Sequence, residues 1–213
     1  MKLYDYFRSS AAYRVRIALN LKGLTAERAF VHLRRDAQRD TGYLALNPQG
    51  LVPTLIEDAG TVLTQSLAII EYLEETHPQP SLFPVGAAAR ARVRAIALEV
   101  ACDIHPLNNL RVLKYLKNSL RVSETDKDIW YQHWVHEGLA ALEVQLARDR
   151  GTGTYCHGDV PTLADVVLVP QLANAHRYNV DVTPFPTLLR IEAACLALPA
   201  FALAEPSLQP DAE

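Results

Sequence analysis

Ser9 and Ser10 stand between a short alternating segment, Lys2–Tyr6, and an apolar-periodic run through Val15, Ile17, Ala18, Leu19 and Leu21. A serine in that place can accept a hydrogen bond from the first free amides of a helix. The same amides and the positive end of the helix dipole favour an anion. No cysteine follows in the next turn, so thiol redox chemistry by the protein itself is excluded there. The hydroxyls therefore either cap the helix or donate to a thiolate brought by another molecule, whose pKa of about 8.5 a helix N-terminus lowers. Gln65-Ser66 opens a second apolar run in the same way, and a plain cap is again one reading. His133 and His136 have helical spacing but no third ligand nearby, and Trp130 and Trp134 mark their segment as an ordinary packed helix, so no metal is expected.

The elements that must position these groups fall in a recognisable order. Lys2–Tyr6 reads as a strand, Ser9-Ser10 as the start of a helix stopped by Gly23, and Ala26–Val31 as a second strand, giving a parallel βαβ unit. Leu46-Asn47-Pro48-Gln49-Gly50 is a turn, followed by strands at Leu51–Ile56 and Thr61–Thr64 that form a hairpin. Pro53 cannot donate to a ladder, so it requires an edge or a cis geometry. A helix from Gln65-Ser66, buried through Leu67, Ile69, Ile70 and Leu73, completes a thioredoxin-like order. Pro78, Pro80, Pro84 and Gly86 then mark a linker, and strand signals stop. Ala87–Leu120 reads as helical with a kink near Pro106, Val122–Arg148 as a long helix, and Thr162–Ala175 as a buried one. Thr162 and Asp165 form a capping box, so Asp165 is read as structural rather than as a catalytic acid. Short helices are expected at Phe185–Leu198 and Phe201–Ala204. The fold class is thus α/β thioredoxin-like for the N-terminal domain, residues 1–80, plus an all-α C-terminal domain, residues 87–213.

Composition narrows the function. A net charge of −3 and the absence of a basic tract give no reason to expect nucleic acid. No apolar run reaches the roughly 18–20 residues of a membrane span, and the opening residues lack a signal peptide's apolar region. Cys102, Cys156 and Cys195 have no CxxC spacing, so all three are expected reduced and packed, in the cytoplasm.

The run Tyr6-Phe7-Arg8-Ser9-Ser10-Ala11-Ala12-Tyr13-Arg14-Val15-Arg16-Ile17-Ala18-Leu19 resembles the signature of the zeta-class glutathione transferases, Ser-Ser-Cys-x-x-Arg-Val-Arg-Ile-Ala-Leu. Ala45-Leu46-Asn47-Pro48, Val52-Pro53-Thr54-Leu55 and Gln65-Ser66-Leu67-Ala68-Ile69-Ile70-Glu71-Tyr72-Leu73-Glu74 continue the likeness in order. So do Gly158-Asp159, Thr162-Leu163-Ala164-Asp165, Leu168-Val169-Pro170-Gln171, Asn174-Ala175-His176-Arg177-Tyr178, Val180-Asp181 and Thr183-Pro184. The chain departs from the signature at Ala11, where the family has cysteine, and at Tyr13, where it has tryptophan. Activities that need that cysteine are put in doubt.

This resemblance implies a glutathione site. Ser9 and Ser10 would act on the sulfur. Val52, before a cis Pro53, would offer backbone groups to the cysteinyl part, Gln65 and Ser66 would take the γ-glutamyl carboxylate, and Gln38 would contact the glycine end. His105 and Asn109, four apart on what reads as one helix face, would reach glutathione or substrate. Arg8, Arg111 and Arg177 are each unremarkable surface residues alone; together on one cleft they would bind a small dicarboxylic keto acid through bidentate guanidinium contacts. The implied reaction is cis–trans isomerisation of maleylacetoacetate by reversible thiolate addition, with maleylpyruvate as the alternative substrate. Two further readings remain: a transferase acting on α-halo acids, and a non-catalytic interaction module of the same fold. A homodimer is also implied.

Overall fold

The computed structural model describes residues 1–213. Contacts divide the chain into two compact units: Met1–Ser81 together with Ala197–Glu213, and Leu82–Leu196. In the first, β1 (Lys2–Asp5) leads into α1 (Ser10–Leu21), then β2 (Glu27–Phe30), the short α2 (Thr41–Leu46), the hairpin β3 (Thr54–Ile56) and β4 (Val62–Thr64), and α3 (Ser66–Thr76). The sheet order is β2-β1-β3-β4. β1 and β2 are parallel, as a helical crossover requires, while β1–β3 and β3–β4 are antiparallel. Leu3 and Leu55 from the sheet, Val15, Ile17 and Ala18 from α1, and Ile69, Ile70 and Leu73 from α3 are fully buried and form its core. Burying each Val, Leu or Ile among them contributes about 1.5–3 kcal/mol.

The expected strand at Leu51–Ile56 is shorter than its apolar pattern suggests. Leu51–Pro53 is held instead as a loop with a cis Val52–Pro53 bond. Tyr43 Oη and Asn47 Nδ2 both donate to the Leu51 carbonyl, at 2.6 and 2.8 Å, which satisfies that oxygen without a ladder partner. Gly50 closes the preceding turn at φ +61°, and a Cβ there would lie 3.0 Å from the Gln38 carbonyl oxygen. Only glycine meets both conditions without strain.

The second unit is helical: α4 (Ala87–Leu98), α5 (Leu110–Asn118), α6 (Glu124–Arg148), α7 (Leu163–Arg177) and α8 (Pro186–Leu196). The expected kink near Pro106 is a longer interruption. A π-helical turn, Glu99–Ile104, is followed by a 3-10 turn, His105–Asn108, before α5 begins. Proline's missing N–H accounts for the change of winding at 106. Asp165 is a capping residue as expected: its carboxylate accepts from the Thr162 amide and hydroxyl and from the Cys156 amide.

The segment Ala197–Glu213, which the sequence reading places in the helical domain, packs with the first unit. It contains α9 (Pro199–Ala202) and is fastened to α1 by polar contacts. Asn20 Nδ2 donates to the Ala200 carbonyl at 2.9 Å, Arg16 Nε to the Ala204 carbonyl at 3.0 Å, and the Tyr13 hydroxyl to the Phe201 carbonyl at 3.5 Å. The cysteines are unpaired as expected, but Cys102, in the π-helical turn, is exposed rather than packed.

Candidate active site

The turn Tyr6–Ser9 joins β1 to α1 and carries the first candidates. Ser9 is the N-cap of α1, and its Oγ accepts from the Ala12 amide at 3.2 Å. An accepting oxygen keeps its own proton, so the Ser9 hydroxyl remains able to donate outward. Ser10 begins the helix and is buried. Arg8 is half-buried, with its guanidinium 4.9 Å from the Phe7 ring centroid. Val52 packs against Tyr6 and Phe7 in one apolar cluster. Pairing of Tyr4 with Thr54 sets Val52 and Pro53 beside the end of β1. Neither the N–H nor the C=O of Val52 enters a backbone hydrogen bond of the fold, although the residue is buried. Buried peptide groups are almost always paired, so this edge is suited to an extended ligand backbone.

At the start of α3, Gln65 adopts φ +69°, a conformation that costs a non-glycine residue about 1–3 kcal/mol and gathers at ligand sites. Its side chain makes no cap, contrary to the simple capping reading, and donates instead to Gln49 Oε1 at 2.8 Å. Ser66 occupies the first helical position. Buried Arg14 donates to Ser66 Oγ at 3.3 Å, so the serine proton is again left to point elsewhere. A guanidinium, a hydroxyl donor and a helix N-terminus on one spot have the chemistry to suit a carboxylate. Gln38 is buried in a 3-10 turn, where its Nε2 donates to Asp36 and its Oε1 has no partner.

The remaining candidates belong to the second unit. His105 and Asn109 do not share a helix face, as their spacing suggested, because the chain between them is a 3-10 turn. They nevertheless meet, with Asn109 Nδ2 3.3 Å from His105 Nε2, and Asn109 Oδ1 caps α5 by accepting from the Arg111 amide. Arg111 is exposed on α5. Arg177, at the end of α7, donates to Asn174 Oδ1 at 3.0 Å and lies over the Tyr178 ring. Beneath it Tyr131 stacks on Tyr178 at 3.6 Å, and burial pushes the Tyr131 phenol up from its usual value. His133 and His136 line an open groove of about 420 Å³ with Gln132, Asn179 and Asp181, and none of the expected site residues lines it. No group of three or more His, Cys, Asp or Glu side chains is arranged to hold a metal ion.

Sequence reasoning missed the residues that hold these groups. Arg14 and Arg16, two apart on a helix that is otherwise apolar and buried, are the signal that was available. Arg16 Nη1 donates to Asp5 Oδ1 at 2.9 Å and its Nη2 to the Phe7 carbonyl at 3.1 Å. Burial lowers its pKa to about 10, which leaves it cationic at neutral pH. Asn47, read only as a turn residue, and Tyr43, in a stretch given no element, fix the Val52 loop.

A thioredoxin-like unit with two serine-headed helix N-termini, followed by a helical unit, defines the class of the glutathione transferases. Residues 8–76 match the family model "Glutathione S-transferase, N-terminal domain" and residues 132–201 match "Glutathione S-transferase, C-terminal domain". The chain belongs to this family, in its zeta-class group of maleylacetoacetate and maleylpyruvate isomerases. It is 51% identical to a maleylacetoacetate isomerase of Pseudomonas aeruginosa over 99% of its own length and 98% of the relative's. The structure of a maleylpyruvate isomerase, described as a bacterial glutathione S-transferase of the zeta class, is 48% identical, with a TM-score of 0.97 and full coverage of both chains. A maleylacetoacetate isomerase of Methylobacterium extorquens with bound malonate and glutathione is 42% identical, with a TM-score of 0.98 and full coverage of both.

Proposed function

We propose that the protein is a glutathione-dependent cis–trans isomerase of a maleyl keto diacid, with maleylacetoacetate as its substrate. The observation that carries this is the pair of helix N-termini, α1 headed by Ser9 and α3 headed by Ser66, with the unspent Val52 backbone alongside. These groups fit the thiol, the γ-glutamyl carboxylate and the cysteinyl backbone of glutathione. Glutathione, when bound, supplies a thiolate whose reversible addition makes the substrate's double bond temporarily single and free to rotate.

The chain's residues do the rest. Ser9 donates to the sulfur and, with the α1 N-terminus, holds it anionic; Ser10 completes that terminus. Ser66, oriented by Arg14, and Gln65 hold the γ-glutamyl carboxylate. Gln38 serves the glycine end, where its orphan amide oxygen can accept from the glycyl N–H. His105 and Asn109 act as one hydrogen-bonding pair toward glutathione or substrate. Arg8, Arg111 and Arg177 bind the substrate's carboxylates and stabilise the negative charge that develops during addition. The Methylobacterium relative, whose structure holds both malonate and glutathione, supports a dicarboxylate guest.

A second reading takes maleylpyruvate as the substrate and is favoured by the 48% identity to the maleylpyruvate isomerase. Measuring kcat/KM for both acids with glutathione decides between them. Arg8→Ala and Arg177→Ala are each expected to lower kcat/KM by about tenfold or more, as loss of a charged hydrogen bond implies. Wild-type rates in both variants would discard the anion clamp. A stable glutathione adduct from an α-halo acid, without isomerisation of either diacid, would replace the whole reading with the transferase one. Family membership supports a cytoplasmic homodimer, which light scattering on the purified protein and cell fractionation check. No helix is long and apolar enough to cross a membrane.

A further inference from the structure

We propose that Asp211 is a positioning residue for the thiol site: through its hydrogen bond to the Phe7 amide it holds the Tyr6–Ser9 turn in the place where Ser9 meets the glutathione sulfur. The proposal rests on the reading of Ser9 given above and adds a residue more than 200 positions away.

Four observations converge on it. Asp211 Oδ2 accepts from the Phe7 N–H at 3.0 Å, two residues before Ser9. Its other oxygen, Oδ1, is buried and has no hydrogen-bond partner, so Oδ2 carries the contact alone. The carboxylate belongs to a cluster of two acids and two guanidiniums in which Asp5 and Arg16 are buried and Arg28 and Asp211 are half-buried. Asp5 pairs with Arg16 and Arg28, while Asp211 lies near enough to both arginines to favour their charged forms. Arg16 in turn donates to the Phe7 carbonyl and to the Ala204 carbonyl. Both peptide groups of Phe7 are thus fixed from Ala197–Glu213 and from the arginine that the segment holds.

The segment itself is well anchored. Gln209 Nε2 donates to the carbonyls of Leu203 and Glu205 at 3.0 and 2.7 Å, Gln209 Oε1 accepts from Arg28, and Glu213 pairs with His32 at 2.6 Å. A segment anchored on both sides of Asp211 transmits its position, through that carboxylate, to the Phe7 amide. The turn is also held by the Tyr6 amide on Asp5 Oδ1 and the Ser9 amide on the Tyr6 carbonyl, so Asp211 sets its fine position. A displacement of about 1 Å at a reacting group can cost on the order of a hundredfold in rate. Asp211 touches neither substrate nor sulfur; it acts only through the turn.

A double-mutant cycle between Asp211 and Ser9 tests this, read as kcat/KM for glutathione-dependent isomerisation of maleylacetoacetate. Asp211→Ala is expected to lose about tenfold against the wild-type enzyme, and less than about twofold in the Ser9→Ala background, where there is no hydroxyl left to place. Asp211→Asn keeps an amide oxygen for the Phe7 N–H and is expected to stay within about threefold of wild type. Equal losses from Asp211→Ala in both backgrounds would mean general destabilisation and overturn the proposal, as would an Asp211→Asn enzyme no better than Asp211→Ala. If Asp211→Ala fails to fold, Asp211→Glu carries the same cycle, because it keeps the charge and moves the carboxylate by one methylene. A wild-type rate in Ser9→Ala alone is a separate outcome: it would remove the thiol reading of Ser9, and this proposal with it.

Discussion

Ser9 and Ser66 show how a single hydroxyl can take part in the fold and still keep a proton to donate. Each oxygen accepts from within the protein, from the Ala12 amide and from Arg14, and each proton is thereby left for a partner outside. The cap was legible in the sequence because it depends on neighbours three residues away. Arg14's contact was not, because it joins residues 52 positions apart. The cysteines divide in the same way. Their unpaired state follows from number and spacing, whereas their surroundings come from packing: burial pushes the Cys156 and Cys195 thiols well above the usual range, and Cys102 is exposed. In the native protein at neutral pH, iodoacetamide should therefore modify Cys102 alone, and all three only after denaturation. Peptide mass spectrometry checks this, and early labelling of Cys156 would contradict the packing described.

Between α4 and α5 the chain abandons the regular helix that its apolar spacing predicts. Proline at 106 announced a break but not its length, since the π-helical turn depends on what packs against it. Ile104 in that turn rests on Gly138 of α6, where an added Cβ would lie 2.3 Å from Ile104 Cγ1. Helix propensity alone favours alanine over glycine by about 1 kcal/mol, but overpacking costs about 1–3 kcal/mol, so Gly138→Ala should destabilise. In an Ile104→Ala background the same substitution should become neutral or stabilising; urea unfolding reads both. A second element, the loop 149–158, is tied down by Arg92, which donates to Asp149 at 2.7 Å, the Cys156 carbonyl at 2.7 Å and Thr152 Oγ1 at 2.9 Å. The hydrogen bond from Arg92, then that from the Gly151 amide, holds Asp149 below the usual carboxylate range. A depressed folded value makes this contribution present above the unfolded pKa of about 3.9 and lost as pH falls through the folded one. The stability difference between wild type and Asp149→Asn, measured by urea unfolding, should accordingly shrink below about pH 4 and stay flat between about pH 6 and 8.

For the whole molecule, the order of elements and the division into an α/β and a helical part were written in local patterns: alternation, helical spacing, caps and a proline-rich linker. The glutathione reading has a consequence at this scale. A ligand that binds only the folded state at a hundred times its Kd adds about 2.7 kcal/mol to the unfolding free energy. Saturating glutathione should raise the melting temperature, and Ser66→Ala should reduce that rise at a fixed glutathione concentration. An unchanged melting temperature in the wild-type protein would count against glutathione binding itself.

Amino-acid order by itself determined the succession of most helices and strands, that Ser9 precedes α1 and Ser66 opens α3, and which family the chain resembles. Those features depend on residues within a few positions of one another, where hydrogen-bond geometry and side-chain period leave few alternatives. Tertiary structure alone decided that Ala197–Glu213 joins the first unit, that Arg14 orients Ser66, and that Asp5, Arg16, Arg28 and Asp211 gather beneath the Ser9 turn. Each of these contacts brings together partners whose separation along the chain leaves no periodic trace, and they become specific only when burial makes an unpaired charge too costly to leave alone.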